Sequence, residues 1–169
     1  MMRMSKVLVW VVALGLWGAL ASAQGAGTAN EAAWNKLKSL AGEWEGKTPD
    51  GKTVTLSYRL VSNESALVET LRPPGEEMVT VYHIDGDSLM LTHYCAAGNQ
   101  PRMRATPSAG EVKELAFKFV DATNLSSPSA GHMAGLALTF EDANHFAQKW
   151  TWVENGQQKD EVFRLTRKM

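Results

Sequence analysis

The chain of 169 residues carries 17 basic and 18 acidic side chains, for a net charge of −1, and it contains a single cysteine. This length suits one domain, and the balanced charge excludes the broad basic surface that attracts nucleic acid through its phosphates. A single cysteine excludes an internal disulfide, so the fold must form without a covalent cross-link.

The N-terminal residues have the pattern of a secretory signal peptide. Arg3 and Lys6 precede an apolar run, and Ala21-Ser22-Ala23 follows it as an A-x-A cleavage signal. The run is shorter than the roughly 20 apolar residues that span a bilayer. We therefore expect residues 1–23 to be removed on export to the bacterial periplasm or the medium. Residues 24–169 should form a single domain without a transmembrane segment, with 17 − 2 = 15 basic residues and a net charge of −3.

The first predicted element of this domain is an amphipathic helix over residues 28–41. Asn30 is its expected N-cap, and Gly42 should stop it. Apolar residues recur at spacings of three and four, which places them on one face. They are Ala33, Leu37, Leu40 and Trp44.

After the helix, short runs of alternating or apolar residues are separated by turn residues, a pattern typical of a sandwich or barrel. The ten predicted strands span 43–48, 53–61, 66–72, 77–84, 89–96, 101–106, 112–120, 133–141, 145–153 and 158–167. Turn pairs such as Asp85-Gly86 and Asn155-Gly156 favour tight hairpins, so neighbouring strands should pair. Closure of the sheet removes its two exposed edges. The predicted fold is all-β: an antiparallel up-and-down β-barrel of about ten strands with a short N-terminal helix.

The first strand opens with a short motif, Gly42-Glu43-Trp44-Glu45-Gly46. The motif resembles the G-x-W signature of lipocalins and related calycins, in which the tryptophan closes one barrel end beneath a short helix. Its G-x-W-x-G form is also similar to the opening of nitrobindin-like haem barrels, which bind haem through a histidine late in the barrel. The strings T-H-Y-C and N-Q-P-R-M resemble segments of exported bacterial proteins. The resemblance implies a calycin-like barrel.

Unusual polar residues are concentrated near the middle of the chain. Side chains alternate across a strand, so the length of a turn decides which residues share a face. If Gly98-Asn99 is a two-residue turn, Cys95 lies opposite Arg102, and His93 lies opposite Arg104. These four side chains would then converge on one face of one hairpin.

The preceding turn extends this face. If the loop at Asp85-Gly86 has two or four residues, Tyr82 and Leu91 share the face of His93. Inside the barrel, the face would suit a ligand with an apolar body and an anionic head bound by the arginines. Outside, the arginines would be solvated and Tyr94 would fill the core. Unpaired arginines are rarely buried, whereas the leucines favour an inward face, so both orientations stay open.

The C-terminal hairpins predict an apolar inner wall. If the loop near residues 142–144 has an odd number of residues and the turn at 155–156 has an even number, the members of this wall share one face. The wall comprises Leu136, Leu138, Phe140, Phe146, Trp150, Trp152, Phe163 and Leu165, with Gln148 as its one polar member and with Trp44, Tyr58, Phe117 and Phe119 from earlier strands. A barrel of about ten strands is wide enough to leave a cavity beside this wall.

The leading functional hypothesis is an exported carrier that holds a small hydrophobic molecule in the barrel cavity, with an anionic head if the arginines face inward. The candidate ligand-binding residues are Trp44, Tyr58, Tyr82, Leu91, His93, Cys95, Arg102, Arg104, Phe117, Gln148 and Trp150. Such a carrier requires no cofactor, and we expect a monomer or a homodimer without nucleic-acid partners.

Two alternatives stay open. A haem- or metal-dependent protein would use one of four histidines, although their spacing matches no metal-binding motif. The histidines are His83, His93, His132 and His145. A protein-interaction module is indicated by apolar residues on both faces of residues 79–94. Covalent catalysis by Cys95 with His93 lacks a nucleophile motif and an evident orienting carboxylate, so an enzyme is less favoured.

Overall fold

The computed structural model describes residues 22–48 and 50–169, with side chains from residue 29 onward, so residues 1–21 of the predicted signal peptide lie outside the described part. One helix, α1 (Ser22–Lys38), precedes ten strands. The strands are β1 (Gly42–Lys47), β2 (Thr53–Val61), β3 (Ala66–Arg72), β4 (Met78–Asp85), β5 (Ser88–Tyr94), β6 (Gln100–Ala105), β7 (Glu114–Thr123), β8 (His132–Phe140), β9 (His145–Glu154) and β10 (Gln157–Arg167). Every strand lies within three residues of its predicted bounds, because turn residues mark strand ends locally.

The ten strands form one closed antiparallel barrel in which each strand pairs with the next and β10 pairs with β1. The last pairing covers the two edges that an open sheet would expose. The all-β up-and-down barrel with an N-terminal helix is therefore confirmed. The predicted face shared by Tyr82, Leu91 and His93 is also confirmed, since Thr80 lies opposite His93 and Tyr82 opposite Leu91.

Helix α1 closes one end of the barrel. Leu37 and Leu40 are buried in the core, and the indole Nε1 of Trp44 donates to the Leu40 carbonyl at 2.7 Å. The predicted capping role of Asn30 is wrong, since Asn30 lies within the helix and its Nδ2 donates to the Gly86 carbonyl in the β4–β5 turn at 3.0 Å. Among the described residues, no helix combines the length and apolar character needed to cross a membrane.

Arg167, at the end of β10, stabilises this closed end of the barrel. Its guanidinium lies over the Trp44 ring, 4.1 Å from the ring centroid, where a cation–π attraction is favourable. The same group donates to the carbonyls of Ser39 at 2.7 Å and Ala41 at 2.9 Å. Arg167 therefore joins the last strand to the segment between α1 and β1.

The turn between β5 and β6 differs from the predicted two-residue turn. The backbone N–H of Gly98 donates to the Cys95 carbonyl at 2.9 Å, and the N–H of Cys95 donates to the Asn99 carbonyl at 3.2 Å. Three residues therefore separate Cys95 from Asn99, and Met90 lies opposite Arg104. An odd change in register moves every side chain of one strand to the other face.

The predicted face shared by the arginines and His93 is therefore wrong. Arg102 pairs with Asp121, and Arg104 donates to Asp85 at 3.0 Å, both on the outside of the barrel. Each guanidinium side chain is about half exposed, whereas His93 is fully buried. The structure thus separates the two halves of the polar stretch: the imidazole lies inside, and the charges lie in solvent.

Candidate functional site

The barrel end opposite α1 contains a cavity of about 540 Å³. Apolar and aromatic side chains and two thioethers form most of its inner surface, together with one imidazole and one thiol. Its lining within the barrel comprises Leu71, Met78, His93, Cys95, Met133, Trp150, Trp152 and Phe163. This volume falls in the range of roughly 300–1,000 Å³ that is usual for small-molecule sites.

The rim of the cavity is acidic. Asp50, Glu76 and Glu161 lie on it with one cation, Lys52, so these four side chains carry a net charge of −2. Lys52 is already paired with Asp50 at 2.8 Å. A rim of this sign disfavours the entry of an anion and favours that of a cation.

A row of polar side chains crosses the barrel interior and ends at His93, which lines the cavity. Tyr58, Glu69, Thr80 and His93 are successive register partners on β2, β3, β4 and β5. None of the four is more than 3% exposed. Because buried polar groups require hydrogen bonds, the partners of this row decide its chemistry.

Glu69 is the acidic centre of the row. Its Oε2 accepts hydrogen bonds from the Tyr82 hydroxyl at 2.6 Å and from Gln148 Nε2 at 2.9 Å, and Gln148 Nε2 also donates to the Tyr58 hydroxyl at 2.6 Å. Glu69 Oε1 has no partner. Burial raises the pKa of the Glu69 carboxyl, against the opposing effect of its hydrogen-bond donors.

His93 is the polar group at the cavity floor. Its Nδ1 shares a hydrogen bond with the Thr80 hydroxyl at 2.9 Å, and its ring lies 4.5 Å from that of Trp150, centroid to centroid. Burial lowers the pKa of His93 to about 4, so the imidazole is neutral at pH 7. Its Nε2 is buried without a hydrogen-bond partner. His93 therefore has one nitrogen fixed in orientation and one nitrogen free to bind.

The predicted site residues separate into three groups. His93, Cys95 and Trp150 line the cavity. Arg102 and Arg104 lie outside the barrel, as described above. The remaining six are buried in the filled part of the interior: Trp44, Tyr58, Tyr82, Leu91, Phe117 and Gln148.

The predicted inner wall is largely confirmed. Phe146, Trp150 and Phe163 are buried, and Trp152 lies partly exposed on the cavity wall. Phe119 does not join them, since it is 37% exposed and packs against the His132 ring at 4.7 Å. Bulges in the β6–β7 and β8–β9 pairings interrupt strict alternation in this part of the barrel.

Sequence reasoning missed the central role of Glu69 and the partner role of Thr80. A signal for Glu69 was present, since it stands between Leu67 and Leu71 at the inward parity of β3. A charged residue at an inward position of an otherwise apolar strand indicates a buried polar cluster. Nothing local identifies Thr80 as the partner of His93, because that contact depends on register.

The other histidines are poorly placed for the cavity. His83 is exposed, and His145 bonds to Asp142 at 2.8 Å near the closed end of the barrel. His132 Nδ1 bonds to the Ala130 carbonyl at 2.8 Å. In the part of the chain that the structure describes, no three His, Cys, Asp or Glu side chains form a metal-binding group.

Cys95 lies partly buried at the cavity wall. Burial is the main cause that raises the pKa of its thiol, and the nearby negative charge of Glu76 adds to the effect. A raised pKa disfavours the thiolate that nucleophilic catalysis requires.

These features define the class of fold: a closed ten-stranded antiparallel β-barrel with a helix at one end and a cavity at the other. Among solved structures, it is similar to a protein of unknown function from the DUF3598 family of Nostoc punctiforme PCC 73102, with a TM-score of 0.51 and 13% identity over 79% of this chain. This chain spans about half (49%) of that protein's length. The similarity shows a shared fold and carries no function. No protein-family model and no curated protein matches the sequence.

Proposed function

We propose that this chain is an exported binding protein that holds a small, largely apolar molecule in the cavity. The observation that carries the proposal is the unpaired, buried Nε2 of His93 at the floor of an otherwise apolar and aromatic site. An unpaired buried polar atom costs about 1–3 kcal/mol. A ligand that hydrogen-bonds to this nitrogen while its body contacts the tryptophans removes that cost.

The proposed ligand is neutral or cationic. An anionic head was expected only if Arg102 and Arg104 faced the cavity, and both lie outside it. The rim carries Glu76 and Glu161 with no unpaired cation to offset them. A carboxylate or sulfonate would therefore enter against the local potential.

The G-x-W opening supports a place for this chain among lipocalin-related calycins, whose barrels suit such a role. Export by the signal peptide belongs to the same proposal. Haem is not part of it, because the candidate late histidine, His145, is exposed at the end of the barrel remote from the cavity.

Two naphthalene dyes that differ by one sulfonate group test the proposal. We expect neutral N-phenyl-1-naphthylamine to bind the mature protein and quench tryptophan fluorescence, since Trp150 and Trp152 line the cavity. Its anionic analogue, 1-anilinonaphthalene-8-sulfonate, should bind at least about tenfold more weakly, a difference of roughly 1.4 kcal/mol. Equal affinity for the two dyes would count against the acidic rim as a filter.

A matched pair of variants locates the bound dye. Trp152→Ala removes part of the cavity wall and should weaken binding of the neutral dye about tenfold, or roughly 1.4 kcal/mol. Tyr94→Ala removes an aromatic side chain that is 51% exposed on the outer face, and should leave binding unchanged. If neither dye binds, and mass spectrometry of organic extracts finds no bound molecule, the carrier proposal fails.

A further inference from the structure

Three soft donor groups line one wall of the cavity. His93 near the end of β5 and Cys95 just beyond that strand are two residues apart. Residues with this spacing project to the same face, about 6.6 Å apart along the strand. Val79 and Tyr94 form the last pair of the β4–β5 ladder. Met78 is next to Val79 and Cys95 is next to Tyr94, and both residues line the cavity.

The imidazole is prepared to act as a ligand. His93 is fully buried and Nε2 has no hydrogen-bond partner, while Nδ1 is held by the Thr80 hydroxyl at 2.9 Å. Metal-binding histidines characteristically have their second nitrogen held in this way, which fixes the orientation of the ring.

We propose that the β4–β5 hairpin binds a soft monovalent metal ion, Cu⁺ or its analogue Ag⁺, through His93 Nε2, Cys95 Sγ and Met78 Sδ. Binding forms one metal–nitrogen and two metal–sulfur bonds. The Cys95 thiol loses its proton to the buffer, so one proton is released for each ion bound and no electron is transferred. The ion site does not require the organic ligand proposed above, but both use His93 Nε2, so an ion and a ligand bonded to that nitrogen would exclude each other.

The donor set selects the kind of ion. Thiolate and thioether sulfur favour Cu⁺, whereas Zn²⁺ is normally bound by thiolate, imidazole and carboxylate. No carboxylate is among the three proposed ligands. The acidic rim, with Glu76 near Cys95, raises the local concentration of cations at the entrance.

The first experiment uses the reduced mature protein without oxygen. Ag⁺ in chloride-free buffer should bind with 1:1 stoichiometry and release one proton, and Cu⁺ should compete for the same site. X-ray absorption of the 1:1 Cu⁺ complex should show one imidazole nitrogen and two sulfurs. Zn²⁺ at equal concentration should leave Ag⁺ binding unchanged. A spectrum with sulfur ligands and no imidazole nitrogen would overturn the proposed site, because the ion would then be bound without His93.

Variants then test each ligand. Cys95→Ser and Met78→Leu should each weaken Ag⁺ binding at least about 100-fold, because loss of a ligand should cost no less than the roughly 10–100-fold typical of an outer-shell partner. Thr80→Val keeps the side-chain shape but removes the partner of His93, and should weaken binding about 10–100-fold. His83→Gln, on the exposed outer face of the same hairpin, is the matched control and should bind as wild type.

Two results separate this site from thiol chemistry and from the organic-ligand site. If Met78→Leu and Thr80→Val both bind Ag⁺ as tightly as wild type, the ion is held by Cys95 alone and the proposal is overturned. Trp152→Ala should weaken binding of N-phenyl-1-naphthylamine and leave Ag⁺ binding unchanged, because Trp152 supplies no ligand to the ion. Because the absorption spectrum reads imidazole coordination in the wild-type protein, the outcome does not depend on whether a His93 variant folds.

Discussion

At the scale of single residues, two ionisable groups on one buried row have pKa values displaced in opposite directions from those of free side chains. Burial lowers the pKa of His93 to about 4 and raises that of Glu69. In both cases the uncharged form is favoured, because a charge inside the barrel loses its hydration. The contributions of the two groups to the free energy of unfolding should therefore depend on pH in opposite directions.

The His93→Gln variant should lack a loss of stability that the wild-type protein shows as the pH falls. In the folded protein the imidazole resists protonation until about pH 4, whereas in the unfolded chain it binds a proton near pH 6.5. The unfolded state therefore binds more protons between these values, and wild-type stability falls as the pH falls. The difference amounts to about 3 kcal/mol by pH 4. Urea unfolding of both proteins from pH 4 to 7.5 measures it, and parallel curves would contradict the shifted pKa.

The Glu69→Gln variant should lack a loss of stability that the wild-type protein shows as the pH rises. The folded carboxyl keeps its proton above pH 4.5, where the unfolded carboxyl releases it, so wild-type stability falls as the pH rises from 4.5 towards the raised pKa. The amide oxygen can still accept from Tyr82 and Gln148. Urea unfolding from pH 4 to 8 should show a flatter alkaline side for the variant. A constant difference between the proteins would mean that Glu69 titrates normally.

At the scale of elements, the β5–β6 hairpin shows how one turn redirects a candidate site. Both strands were predicted within two residues of their bounds. The three-residue connection from Cys95 to Asn99 shifts the pairing by an odd number relative to the prediction. Arg102 and Arg104 therefore face solvent, and the anionic ligand that depended on them loses its support.

The first and last strands meet so closely at Gly46 that any side chain would clash. A Cβ there would stand 2.3 Å from the Arg164 carbonyl oxygen, which is backbone and cannot move aside. We expect Gly46→Ala to lower the free energy of unfolding by more than about 2 kcal/mol. Gly135→Ala in β8 is the control, since a Cβ there meets its nearest atom at an ordinary 3.6 Å and should change stability by less than about 1 kcal/mol. Equal losses in chemical denaturation would show that β1 and β10 can separate at Gly46.

At the scale of the whole molecule, the barrel is filled at one end and hollow at the other. Leu37 of α1 and Leu40 just after it pack into the closed end, whereas the open end keeps a cavity of about 540 Å³. A barrel of ten strands encloses more space than its inward side chains fill. The polar row with Glu69 and His93 lies at the boundary between the two parts.

The proposed export is a prediction about the whole chain. When the full sequence is expressed in a bacterium, we expect the protein in the periplasmic fraction or the medium. Its intact mass should be that of a chain that begins at Gln24. Substitution of Ala21 and Ala23 by bulky residues should leave the uncleaved precursor with the membrane, because small residues at these positions define the cleavage site. Recovery of the full-length chain from the cytoplasm would contradict this prediction.

The local pattern of the sequence determined ten strands, their order and most of the inward faces, because alternation and turn residues act over only a few positions. It therefore anticipated that Trp150 and Phe163 are inside and that Tyr82, Leu91 and His93 share a face, but it left open whether that face points inward. Only the tertiary structure decided that Asn30 joins α1 to a distant turn, that Glu69 meets Gln148, and that the arginines lie outside. Each of these depends on the exact register or on contacts between distant strands, and a single odd shift in one turn reverses a face without changing the sequence pattern that produced the strand.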